Sequence, residues 1–160
     1  MENSRTAERI DLRDDEKWNR ASFRIFGDSL EPDEITRLLG LEPSISHLKG
    51  HQKSSRVKIA WRTSLWSLTC PLSDRLSMEH HLKWVLDTLE PRFELIRELA
   101  AVYKMDFFCG FSSGNGQGGF DLNGEMLARL ARFGIPLTLN LYPPEAATSV
   151  EAHSDSGDPE

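Results

Sequence analysis

The sequence predicts an α/β fold of the α+β sandwich kind: a mixed, largely antiparallel sheet with helices mainly on one face, in two loosely similar strand–helix halves. Three observations carry this. Short runs with apolar residues at every second position alternate with runs of helical period. Turn residues punctuate the alternating runs, as hairpins require. A strand, a short helix, a glycine and an apolar exit occur in that order near each end of the chain, which is the layout of mixed strand–helix architectures.

The elements follow in order. "SFRIF", Ser22 to Phe26, puts Phe23 and Ile25 on one face of a first strand,. Gly27 and Asp28 end it. Pro32 opens a helix, since its missing N–H costs nothing in a first turn. Ile35, Leu38 and Leu39 form the apolar stripe, and Gly40 closes the helix in the left-handed region. With Glu31 as N-cap, Leu30 and Ile35 take the positions of a hydrophobic staple. "RVKIAW" places Val57, Ile59 and Trp61 together, whereas "LWSLTC" places Trp66, Leu68 and Cys70 together. That one-residue shift calls for a bulge or tight turn near Thr63 and Ser64. From Met78, Leu82, Val85, Leu86 and Leu89 make a buried helix face. Pro91 kinks this helix or starts a second one with Phe93, Ile96 and Ala100. "KMDFFCGF" is the next strand. Later, Asn123 is a good N-cap, Leu122 and Leu127 have staple spacing, and Leu127, Leu130 and Ala131 face one way before Gly134,. "IPLTLNLY" closes the fold as a strand with Leu137, Leu139 and Leu141 on one face.

The chain of 160 residues is about one domain long. Residues 1–17 form a charged, flexible segment and 18–142 a single domain. Residues 143–160 form an acidic disordered tail, whose stretch from Pro144 has five acids and no Lys or Arg,. No apolar run reaches the roughly 18 residues of a membrane span, and the N-terminus lacks a signal-peptide core. The expected location is the cytoplasm. Cys70 and Cys109 suit neither a disulfide framework nor a metal spacing, and read as reduced, buried thiols.

Charge is unevenly spread. The net charge is −6, but Pro43 to Ser73 contains no Asp or Glu and carries Lys49, Lys53, Arg56, Lys58 and Arg62. An acidic molecule with one basic stretch suits an acidic protein surface better than nucleic acid. His47 and His51 lie in the same stretch. The glycine-rich "GFSSGNGQGG" holds five glycines between Gly110 and Gly119. A phosphate loop needs a helix straight after it and usually a lysine. Here "GGFDL" reads as a second strand, so the expectation is a hairpin turned at Asn115–Gly116. His80 and His81 are adjacent and diverge on a helix, so they cannot chelate together from one face. No nucleophile elbow or carboxylate pair is present, and no catalytic residue, metal ligand or cofactor is assigned.

Taken together, "FRIFGDSLEPDEITRLLGLEPSISHLKG", "LWSL", "EHHLKWVLDTLEP" and "LNGEMLARLARFGIPLTLNLY" resemble the largely bacterial domain-of-unknown-function 4279 family. The resemblance spans Phe23 to Tyr142. It implies a fold and no chemistry, because its motifs are structural punctuation. Glu31 stands where family members often have Asp, which implies a weaker cap. The functional expectation is a non-catalytic protein-binding or regulatory module, immunity-like by analogy of size and charge. The alternative is a binder or enzyme of a small anionic ligand, held between the basic 47–62 stretch and the glycine-rich hairpin. The candidate ligand- or partner-binding residues are Lys49, His51, Arg56, Arg62, Trp66 and Asn115.

Overall fold

The computed structural model describes residues 17–114 and 118–142. The N-terminal segment before Lys17, the Asn115–Gly116 turn and the acidic tail lie outside the described residues, as does the side chain of Val57. The elements are β1 (Trp18–Gly27), α1 (Pro32–Leu39), β2 (Ile45–His47), β3 (Gln52–Ser54), β4 (Val57–Ala60), β5 (Ser64–Thr69), α2 (Met78–Leu89), α3 (Phe93–Ala100), β6 (Lys104–Ser112), α4 (Gly124–Phe133) and β7 (Leu137–Tyr142). A 3-10 turn, Glu90–Arg92, joins α2 to α3. Pro91 sits in it, where a missing N–H is tolerated but a straight α-helix would not be.

Five strands form the main sheet in the order β2-β5-β1-β6-β7, and β3 and β4 pair only with each other. β1 is antiparallel to both β5 and β6, and β6–β7 is the one parallel pair among the described strands. The mixed, mostly antiparallel sheet is therefore as the sequence implies. Register places Phe23 between Leu68 and Phe107, and Ile25 between Trp66 and Met105. All six side chains are buried, and they share one core with Ile35 of α1, Leu82 and Leu86 of α2, Ile96 of α3 and Met126 of α4. Because every helix contributes to that one core, the helices lie on one face of the sheet. Burying side chains of this size contributes roughly 1.5–3 kcal/mol each.

The opposite face is polar. Ser22 and Thr69 share a hydrogen bond across β1 and β5 at 2.9 Å. Arg24 donates to both oxygens of Asp106, at 2.8 and 2.5 Å, and Thr138 Oγ1 donates to Asp106 Oδ2 at 2.8 Å. This network ties β1, β6 and β7 together from the helix-free side. The Arg24 guanidinium lies 4.0 Å from the Phe108 ring centre, a cation–π contact.

The two halves echo one another. α1 and α4 both end on a left-handed glycine, Gly40 (φ 62°) and Gly134 (φ 65°), a conformation that favours a residue without Cβ. Leu30 and Ile35 are both buried, as a staple requires. Glu31 makes no side-chain cap bond, whereas Asn123 accepts from Met126 N. Two expectations are corrected. Leu127 is half exposed, and α4 buries Met126, Leu130 and Phe133 in place of Leu127, Leu130 and Ala131. Leu38 is at the surface, too. The turn expected between "RVKIAW" and "LWSLTC" is present: the chain bends at Arg62 and Thr63 as it passes from β4 to β5, which belong to different sheets and need not share a face.

The glycine-rich hairpin is also corrected. Residues 118–123 form no strand and lead into α4. Both edges of β6 are already taken, by β1 and β7, so a strand returning from the glycines has no edge to pair with. The segment is instead the connection between β6 and α4 in a β6–α4–β7 crossover, the usual way to join parallel strands.

Candidate functional site

The basic stretch folds as a projection beyond the β5 side of the sheet. The β3–β4 hairpin has its own register, with Gln52 opposite Ala60 and Ser54 opposite Val57. Its base is closed by backbone bonds, with Gly50 N donating to Trp61 O at 2.8 Å and Trp61 N to His51 O at 2.9 Å. Two further bonds moor it to the body: Lys49 Nζ donates to Asp28 Oδ2 at 2.5 Å, and Lys49 N to Ser64 Oγ at 3.0 Å. The Lys49 ammonium holds the Asp28 carboxyl below its ordinary range.

At the centre of this projection His47 stacks on Trp61, with ring centres 3.7 Å apart and planes 11° from parallel. The Lys53 ammonium lies 4.7 Å from the centre of the same Trp61 ring, a cation–π contact. Burial against Trp61, with the nearby Lys53 charge second, pushes the His47 pKa down. His47 is thus held neutral, and the positive charge of the hairpin comes from lysine and arginine. Lys53, Arg56, Lys58 and Arg62 are exposed, and Ile59 is 58% exposed between them.

Lys49, His51, Arg56 and Arg62 therefore lie on one exposed segment of the chain. Trp66 is elsewhere: it is fully buried, with Nε1 donating to Thr36 Oγ1 at 3.0 Å. Asn115 lies outside the described residues. Sequence reading missed the His47–Trp61–Lys53 stack. The alternation that brings Trp61 beside the lysines was legible, but the partner ring comes from β2, and strand pairing alone decides that.

A second feature lies at the other end of the sheet. A cleft of about 490 Å³ is walled by Lys17, Asn19, Arg75, Glu79, Phe120 and Asp121, beside the first turn of α2. Asn19 is 6% exposed, and its Oδ1 has no partner among the described residues. The exit of the glycine-rich segment, Gly119 and Phe120, forms one wall. Nearby, buried His81 donates from Nε2 to Ser73 O at 3.0 Å. Burial pushes the His81 pKa down, which agrees with a neutral ring. Cys70 and Cys109 are buried thiols. Burial, with the Asp106 charge second, pushes Cys109 up to about 12, far from the thiolate that nucleophilic chemistry uses.

A family model described as Domain of unknown function (DUF4279) matches residues 16–144. The chain belongs to that family. The match covers the whole sheet and every helix of this DUF4279 domain. Comparison with curated proteins and with solved structures gave no match. Among the described residues of the DUF4279 domain, no helix is long and apolar enough to cross a membrane.

Proposed function

We propose that this DUF4279 domain is a non-catalytic protein-binding module of the bacterial cytoplasm, and that the β3–β4 hairpin carries its contact surface. The observation behind this reading is the form of the basic stretch. Its cations stand on an exposed two-stranded projection around an ordered Trp61–His47–Lys53 stack. Charges spread along a projection suit the flat, acidic surface of a protein. They attract it at long range, while an aromatic and an exposed apolar side chain supply short-range contact. A toxin-neutralising or regulatory role fits such a module by analogy of size and charge.

The test is affinity capture from the native cells with wild-type bait and with Lys53→Glu/Arg56→Glu/Lys58→Glu bait, at low and high salt. The reading expects a stoichiometric partner of acidic surface that the triple variant and high salt both lose. A partner retained by the triple variant would overturn the assignment to the hairpin.

A second reading is binding of a small polar ligand in the cleft at the start of α2, away from the basic stretch. The supporting observation is Asn19 Oδ1, buried and without a hydrogen-bond partner among the described residues, which calls for a donor on the ligand, such as a hydroxyl, an ammonium or an amide N–H. Lys17 and Arg75 line the same space together with Glu79 and Asp121, so its formal charges cancel and a ligand carrying both donors and acceptors fits it better than a bare anion. A thermal-shift screen of hydroxylated and amino-bearing metabolites, such as sugars and amino acids, addresses it. A stabilising hit that Asn19→Ala abolishes supports the reading. No hit, or a hit that Asn19→Ala leaves unchanged, removes it.

A further inference from the structure

β7 is an edge strand of the main sheet, and its chemistry is unusual for an edge. Natural edges are blunted by charge, brevity, bulges or proline. The opposite edge, β2, is only three residues long. β7 has six residues, and the sequence carries no charged side chain between Arg132 and Glu145. Pro136 precedes it, and Pro143 and Pro144 follow it. The prolines limit the strand's length but leave Leu137 to Tyr142 free of any such block.

The direction of its free backbone groups follows from the pairing with β6. Phe107 lies opposite Leu137, and Phe107 N donates to Pro136 O at 2.8 Å. In a parallel ladder the residues that bond to the neighbour alternate along the strand. Pro136, Thr138 and Asn140 therefore turn their backbone groups toward β6. Leu137, Leu139 and Leu141 turn theirs outward, toward the open edge.

Side chains agree with this. Leu137, Leu139 and Leu141 lie beside Phe107, Cys109 and Phe111 in register, on the helix side of the sheet. Yet Leu139 is 56% and Leu141 69% exposed. An apolar row thus continues past the point where the helices cover it.

We infer that β7 pairs antiparallel with β7 of a second copy, about a two-fold axis at Leu139. A two-fold axis requires only that where residue i meets j, j also meets i, and in "LTLNL" this sets apolar against apolar and polar against polar residues. In this register Leu139 faces Leu139 of the second copy, and Leu137 faces its Leu141. These are the residues whose N–H and C=O groups point outward, so each facing pair exchanges both hydrogen bonds. Every leucine stays on the helix side, and Thr138 faces Asn140 on the polar side. A slip by one residue would oppose outward-turned to inward-turned backbone and break the ladder. The two five-stranded sheets then run on as one.

The experiment is sedimentation velocity on the full chain over roughly 1–100 µM, which detects a dimer of micromolar Kd. The expected result is a monomer–dimer equilibrium. Leu139→Lys places like charges directly opposite each other at the axis and should weaken the dimer about tenfold or more. Its far-UV circular dichroism should match wild type, because Leu139 is exposed. Under mild oxidation, Leu139→Cys should form a disulfide-linked dimer, since facing Cα atoms lie within bridging distance. Asn140→Cys, two residues out of register with its own copy, should not. A monomer at every concentration overturns the inference. So does a dimer that Leu139→Lys leaves intact, or one that cross-links equally through both cysteine variants.

Discussion

Replacing Asp106 by alanine is the sharpest test of how the sheet is held on its helix-free side. Asp106 is 6% exposed and accepts three hydrogen bonds, two from Arg24 and one from Thr138. Breaking a fully buried ion pair by removing one partner costs about 3–5 kcal/mol, mostly because the other charge is left buried. Arg24 has 29% of its side chain exposed, so water recovers part of that loss. The expected destabilisation is about 2–3 kcal/mol, a large share of the roughly 5–15 kcal/mol of a typical domain. Arg24→Met/Asp106→Leu should recover much of it, since an apolar pair of similar volume often replaces a buried ion pair without loss. Urea unfolding followed by tryptophan fluorescence measures each variant, with the midpoint compared at constant slope. If Asp106→Ala costs less than about 0.5 kcal/mol, or the double variant is no better than the single one, the network does not hold the strands as argued.

Three other outcomes follow from the structure. Asn123→Ala removes the one side-chain cap of α4 and its contact with Glu79; a loss of about 1 kcal/mol is expected in the same urea assay, and no loss would mean that water replaces the cap. Gly110→Ala would bring a Cβ to 2.9 Å from the Trp18 ring, so about 1–3 kcal/mol of overpacking is expected, and a neutral result would show that Trp18 swings away freely. Burial, the leading cause, lowers the folded-state pKa of His81 and of His47, so in mild acid the unfolded chain takes up the protons first. Stability should be complete at neutral pH and should fall as pH drops through about 6.5 toward the folded values, by up to about 1.4 kcal/mol per pH unit for each histidine. His81→Gln should flatten that slope, and an unchanged slope would assign the acid sensitivity elsewhere.

The legible part of this protein was local. Alternation in "SFRIF" and "LWSLTC" and the apolar stripe from Met78 to Leu89 mark buried surfaces whose period needs no knowledge of a partner. Glycine caps at Gly40 and Gly134 and the Asn123 N-cap are settled within a few residues, because the backbone conformation or hydrogen bond they satisfy is itself local. The family resemblance rests on the same punctuation, which is why it specifies a fold and leaves the chemistry open.

What the tertiary structure decided is which surfaces meet. Both the Leu127 and the Met126 stripes of α4 fit a helical period, and only the sheet beneath selects Met126, Leu130 and Phe133. Asn–Gly favours a hairpin locally, but a hairpin needs a free edge, and β1 and β7 occupy both edges of β6. His47 reaches Trp61 across strands that are separate in sequence, and Asp106 gathers Arg24 and Thr138 from two neighbouring strands. The sequence alone determined periods, caps and a basic segment, since each follows from short-range sterics and charge. Pairing partners, layer faces and the exposed edge of β7 came only with the fold, because each depends on which distant strand arrives beside it.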